Sequence, residues 1–337
     1  MAQSAWWQPE SFARRRPFLE ARSRMLTAMR AVFAARGLVE VETPALQASP
    51  GLEPHLQAFA TVLQQPGEGA VPRFLHTSPE FAMKKLLVAG MPRIFQLAHC
   101  FRNAERGATH SPEFAILEWY RAGASYLDLI EDCEALLRAT GARLFTWQGR
   151  VCDPHAPWEL LTVAEAFRRH CGIDILATVE DVAALAAAAK PLGIVPHQGD
   201  SWEDLFFRIF LAAIEPKLGI GAPTVLMDYP ISMAALARAK ASDPRLCERF
   251  ELYVCGLELA NAFGELTDAA EQRRRFAADQ AKKQALYGET YPIDEDFLAA
   301  LAHGMPEAAG IALGFDRLVM LASGATHIDD VLWAPVT

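Results

Sequence analysis

The chain has 337 residues, 52% hydrophobic and 22% charged, with 21 Gly and 21 Pro. That length suits two ordinary domains of about 150 residues or one large unit with an insertion, and the balance excludes collagenous, coiled-coil and disordered chains. A net charge of −9, from 32 Lys and Arg against 41 Asp and Glu, argues against a broad surface for nucleic acid.

Along the chain, residues 1–16 have no apolar core behind their first charges, so neither a secretory nor a transit leader is expected. Phe18, Met25, Leu26, Met29, Val32 and Phe33 recur at helical spacing, and Gly37 follows as a stop. Residues 38–42 then alternate as a strand that ends at Thr43-Pro44. Alternation returns over 93–102 and 113–120, which predicts an antiparallel hairpin with a long loop. Residues from about 125 to 220 read as helical, with capping-box starts at Thr162/Glu165 and Ser201/Asp204 and breaks at Gly172, Pro191 and Pro196. Within them lies the longest run without a polar residue, Val182 to Ala189, far short of the ~18 needed to span a bilayer, so no membrane partner is expected. Strand patterns resume at 224–228, 250–254 and 257–261, so the helical block reads as an insertion into one domain. The basic clusters 14–16 and 273–275 read as solvated helix faces. Six cysteines without a C-x-x-C pair point to reduced thiols and a cytoplasmic protein.

Three segments place polar residues where apolar ones would be easier to bury. In the first, Phe114, Glu118 and Tyr120 share a strand face that Arg102 can join; an Arg fork beside a ring and a carboxylate suits a phosphate, a planar base and an amine. A surface Arg–Glu pair explains the same pattern equally well. In the second, a two-residue turn at Cys255-Gly256 would pair Tyr253 with Glu258 and set Glu251 one step along the same face. Two such carboxylates suit Mg²⁺ on triphosphate oxygens, although an exposed edge hairpin accounts for them too. In the third, Gly310, Ala312 and Gly314 would form a floor free of large side chains, with Asp316 capping a helix from whose start Arg317 emerges, although glycines in strands more often mark close packing.

Taken in order, the three segments resemble the signature motifs of class II aminoacyl-tRNA synthetases. Motif one looks like the helix ending at Gly37 with Glu40-Val-Glu42-Thr-Pro44; motif two runs from Phe101-Arg102-Asn103 to Glu113-Phe114; motif three is Gly314-Phe-Asp316-Arg317. Thr77-Ser78-Pro79-Glu80 and the run from Glu258 to Asp268 are similar to the lysyl-specific members. Only about a dozen residues precede motif one, which leaves no room for an anticodon-binding domain. The chain thus resembles the stand-alone elongation factor P–(R)-β-lysine ligase family, in which Ala312 stands where lysyl-tRNA synthetases usually have Gly.

That resemblance implies an α+β class II catalytic core, a mostly antiparallel sheet flanked by helices with a helical insertion, forming a homodimer. It implies ATP and Mg²⁺ as cofactors, β-lysine as substrate and elongation factor P, not tRNA, as acceptor. Arg102 and Arg317 would be catalytic, with Arg102 on the α-phosphate and adenine between Phe114 and Arg317. Asn103, His110, Glu258, Leu259 and Gly314 would surround the nucleotide, and Glu251 with Glu258 would hold Mg²⁺. Ser78, Pro79, Glu80, Tyr120, Asn261, Glu265 and Ala312 would line the substrate pocket, with Glu80 and Glu265 taking the two amines. The chain departs from the family pattern at Ala104, Ser111 and Ala262. The alternatives are a truncated lysyl-tRNA synthetase-like enzyme and a non-enzymatic ATP or amino-acid sensor.

Overall fold

Helix α1 (Pro9–Ala35) opens on Pro9, whose missing N–H costs nothing in a first turn, and ends where Gly37 takes φ +71°. The computed structural model describes residues 5–67 and 69–336; the first residues of the stretch read above for a leader, 1–4, lie outside the described residues.

The main sheet is built from β1 (Val39–Glu40), β2 (Arg93–Phe101), β3 (Glu113–Ala122), β4 (Glu159–Thr162), β5 (Thr224–Met227), β6 (Arg249–Val254), β7 (Leu257–Gly264) and β8 (Ala308–Gly314). Their order is β1-β2-β3-β8-β7-β6-β5-β4. The five inner pairings are antiparallel, and only the edge pairs β1/β2 and β4/β5 are parallel. The hairpin expected over 93–120 is β2/β3, with Cys100 opposite Phe114 and Gln96 opposite Glu118. At the β6/β7 turn Cys255 and Gly256 take φ +54° and +73°, the two left-handed residues of a type I′ turn, and Tyr253 faces Glu258 as anticipated.

Alternation along these strands separates two faces. Ala115, Leu117 and Trp119 of β3, Ile311 and Leu313 of β8 and Phe250 and Leu252 of β6 are buried in one core with Met25, Met29 and Phe33 of α1. Helices α3 (Asp128–Ala139) and α9 (Phe315–Ser323) complete that layer. The intervening residues carry the polar groups of the opposite face. There α2 (Glu80–Val88), α7 (Ala269–Tyr287) and α8 (Glu295–Gly304) gather a second cluster around Met83, Phe276 and Phe297.

The stretch read as helical from 125 to 220 is more mixed. Strands occupy 145–147, 150–152 and β4, and β4 joins the main sheet beside β5. Helices α4 (Val163–Cys171), α5 (Val182–Ala189) and α6 (Trp202–Ile209) then pack around Phe167 and Phe206. Both expected capping boxes form, and Gly172 ends α4 in the left-handed region. All six cysteines are unpaired.

Two readings need correction. The basic clusters are not uniformly solvated, because Arg15 is buried and donates to the Leu332 carbonyl, while Arg275 donates to the Ala235 and Ala237 carbonyls at 2.8 Å. Nor does Asp316 cap α9: Gly314 holds the N-cap position, and Asp316, buried in the first turn, accepts from the Arg22 guanidinium of α1 and, at 2.7 Å, from the Ala115 N–H of β3. It therefore ties three elements at once. Asp316→Ala would strand both donors, and urea unfolding should show a loss of about 3–5 kcal/mol, the usual cost of orphaning a buried charge; a loss under about 1 kcal/mol would make the tie incidental.

Candidate active site

The polar sheet face carries two adjoining groups of residues. In the first, β3 sets Glu118 and Tyr120 side by side, β8 lies next to it with Gly310 opposite Tyr120 and Ala312 opposite Glu118, and β7 follows with Asn261 opposite Ala312. Ser78 and Pro79 precede α2, where the Ser78 hydroxyl accepts the Glu80 N–H at 3.0 Å and donates to Glu118 Oε1 at 2.6 Å. The Tyr120 hydroxyl donates to Glu118 Oε2 at 2.9 Å. Across from them the buried Lys84 ammonium lies 2.5 Å from Glu80 Oε1 and 2.5 Å from Glu265 Oε2. Glu265 Oε1 is buried without a partner, so its acceptor capacity stays open, while Oε2 meets the Lys84 ammonium.

The electrostatics follow from this crowding. Burial and the charge of Glu80 push the Glu118 carboxyl up to about 8, against the two hydroxyl donors that favour its ionised form. Burial likewise raises Glu265, with Lys84 opposing and Glu80 adding to the effect. Burial alone would lower Lys84, but Glu265 and Glu80 outweigh it and hold the ammonium charged.

Gly310 and Gly314 differ in what they leave open. A Cβ on Gly310 would fall 2.2 Å from Tyr120 Cε1 and 2.3 Å from Glu265 Oε1, whereas one on Gly314 would meet nothing closer than the Arg317 side chain at 3.6 Å. The expected small-residue floor is thus sterically compulsory at Gly310 alone. Ala312 and Phe114 each pack against a small cluster of Ala98, Cys100 and Ile116.

The second group lies along the same face. The Arg102 guanidinium carbon sits 5.1 Å from the Phe114 ring centroid, and its Nε is buried without a partner. Arg317 leaves the first turn of α9, donates to the Glu258 carbonyl at 2.8 Å and reaches His110 Nε2 at 2.7 Å. Burial and the Arg317 charge lower His110, so its ring accepts that bond as the neutral imidazole. Asn103 is anchored by its N–H to the Gln57 carbonyl at 2.7 Å, while Ala104 takes φ +61° and donates to Asn103 Oδ1 at 2.9 Å. A register shift near Leu252 and Tyr253 leaves Leu259 as an extra residue on β7, which brings Glu258 onto the face of Asn261 despite their three-residue spacing.

Glu251 accepts from Arg249 and Tyr229, each at 2.6 Å, and from Tyr253 at 2.5 Å. Burial, followed by the Glu251 charge, raises Glu258. No set of three or more His, Cys, Asp or Glu suited to a metal occurs among the described residues. Arg249 balances Glu251, so the charge left for a cation is that of Glu258. With it the pair fits a hard cation that takes its remaining oxygens from phosphate and water, the habit of Mg²⁺.

The residues anticipated for nucleotide, metal and substrate therefore lie on one sheet face or at its rim, except Leu259, whose side chain is buried in the core of the opposite face. Glu118, read from the sequence as a carboxylate suited to an amine, is absent from the expected substrate set. Sequence reasoning missed three other residues. Lys84 stands four residues after Glu80, a spacing that reads as an ordinary helix-surface pair until its burial is known. Arg249 and Tyr229, which fix Glu251, left no signal.

Comparison with known proteins agrees with this geometry. A family profile described as tRNA synthetases class II (D, K and N) matches residues 11–337. A Sodalis glossinidius protein named elongation factor P–(R)-β-lysine ligase is 42% identical over 333 residues, 98% of each chain. Proteins of the same name from Salmonella paratyphi A and Pectobacterium carotovorum are each 40% identical, again over 98% of both chains. The protein belongs to the class II tRNA synthetase family, among its elongation factor P–(R)-β-lysine ligase-like members.

Proposed function

We propose that this protein activates (R)-β-lysine with ATP and transfers the lysyl group to a lysine side chain of elongation factor P. The observation that carries the reading is the convergence of Glu80, Glu118 and Glu265 on one floor beside Arg102. A pocket with that much buried negative charge suits a substrate with two ammonium groups, and its neighbour suits a nucleotide. The same printed name on relatives spanning 98% of the chain supports the acceptor.

In the first step the substrate carboxylate attacks the α-phosphorus of ATP and pyrophosphate leaves. Arg102 would align the attacking and phosphoryl oxygens and balance the charge that develops between them. Phe114 and Arg317 would hold the adenine, with Asn103, His110, Leu259 and Gly314 about it. Glu251 and Glu258 would hold Mg²⁺, which when bound neutralises phosphate charge. In the second step the acceptor amine attacks the acyl carbon, AMP leaves, an amide forms and the amine loses a proton. Asn261 and Ala312 would border the amine-bearing carbon. We further propose that the enzyme is a cytoplasmic homodimer and does not charge tRNA; no described helix is long and apolar enough to cross a membrane.

ATP–pyrophosphate exchange tests the reading. Exchange should require Mg²⁺ and a diamino acid, and intact mass should show one lysyl unit added to elongation factor P. In Ala312→Gly, the preference for β- over α-lysine should fall by tenfold to a few hundredfold, about 1–3 kcal/mol for one methyl. Equal stimulation by leucine would sink the substrate assignment, and an unchanged isomer ratio would remove Ala312 from it.

A further inference from the structure

Lys84 is fully buried, and its ammonium touches carboxylates from two elements, Glu80 on α2 and Glu265 just beyond β7. A buried lysine without partners would be very costly, so placing one here in the wall of a pocket already rich in charge requires a reason. Three carboxyls, Glu80, Glu118 and Glu265, face this pocket, and among the described residues Lys84 is the one cation bonded to any of them. The neighbouring charges are otherwise engaged. Arg238 is 2.7 Å from Glu248, and Glu53 has Arg102 and Lys283 as counter-charges. With all three carboxyls ionised, the state that two bound ammonium groups favour, three negative charges less one positive leave two.

We propose that Lys84 is the positioning and charge-setting residue of the pocket: it spaces Glu80 from Glu265 and cancels one of three carboxylate charges, so that the remainder matches a dication. The inference rests on the diamino-acid reading above and deepens it. Glu118 is held by Ser78 and Tyr120, and Glu80 and Glu265 are held by Lys84, so each carboxylate is aimed before substrate arrives. The raised carboxyls agree with this arrangement, since one ammonium serves three acids. Lys84 need not touch the reacting atoms. Its influence falls on amino-acid binding and leaves the nucleotide group alone.

The test is ATP–pyrophosphate exchange with (R)-β-lysine in wild type, Lys84→Met, Glu80→Gln and the double variant, with thermal melting of each. Methionine keeps the volume and removes the charge. Lys84→Met should raise the KM for β-lysine by about tenfold or more, with the KM for ATP within about twofold. Glu80→Gln alone leaves one net negative charge and should also weaken binding. The double variant returns to two, so Lys84→Met should cost less than about threefold in the Glu80→Gln background. A purely structural tie between α2 and the residue beyond β7 predicts that Lys84→Met lowers the melting temperature and raises the KM for ATP along with that for β-lysine, and that result overturns the proposal. So does a KM for β-lysine within about twofold of wild type in Lys84→Met. If that variant does not fold, the comparison of Glu80→Gln with the double variant decides alone. Wild-type exchange stimulated equally by leucine would instead overturn the diamino-acid reading, which separates the two failures.

Discussion

Gly310→Ala is expected to lower kcat/KM for the amino acid by about 10²-fold or more, because a misplacement of about 1 Å at a reacting centre costs that much. The added methyl would stand 2.2 Å from the Tyr120 ring and 2.3 Å from Glu265 Oε1. Neither neighbour can retreat freely, since Tyr120 is 3% exposed and bonded to Glu118, and Glu265 is 1% exposed and paired with Lys84. The residue lies in mid-strand between β3 and β7, so the backbone cannot yield without breaking the ladder. Overpacking should also cost about 1–3 kcal/mol of stability, visible in urea unfolding. Exchange kinetics separate the two effects: a folded variant that still saturates with ATP but not with the amino acid is the expected outcome. Wild-type kinetics would show that the floor at Gly310 is not part of the pocket. Gly314→Ala, with no contact under 3.6 Å for its methyl, should have a much smaller effect.

Arg102→Lys should reduce kcat for exchange by about 10²–10³-fold, the usual loss on removing one preorganised donor from a charge-developing centre. Lysine preserves the charge but loses the planar fork and its stacking on Phe114, now 5.1 Å from the guanidinium carbon. The buried Arg102 Nε without a partner is the structural mark of a donor held ready. Because the Arg102 backbone is fixed by its N–H bond to the Pro112 carbonyl at 2.9 Å, the substitution should leave the melting temperature close to wild type. Retention of kcat in Arg102→Lys would mean that positive charge alone suffices there.

How much of this was legible depends on the range over which each residue's environment is set. The β2/β3 hairpin, the Cys255-Gly256 turn and both capping boxes are local, and their residue types dictated them. Tyr253 was paired correctly with Glu258 because a two-residue turn fixes register. The bulge at Leu259 was invisible, since nothing in an alternating apolar run marks an extra residue. Asp316 looked like a helix cap by position, yet its partners are Arg22 and Ala115, nearly three hundred and two hundred residues away. The edge strand β4 is four residues long and is stabilised by its neighbour β5, which short-range patterning could not supply. Lys84 shows the same limit within the site: spacing revealed the pair with Glu80, while burial and the bond to Glu265 came only from assembly.

The loop between β2 and β3 is held from outside the hairpin. The Ala108 carbonyl accepts from the Ile328 N–H at 2.8 Å, Arg106 donates twice to the Val336 carbonyl at 3.1 Å, and Arg317 reaches the Thr109 carbonyl and His110. Such a loop is not an interchangeable module. A chimera that imports only residues 103–112 from a relative would lose the matching surface on 328–336, and directed evolution of nucleotide preference should find its useful changes in pairs, one in each segment.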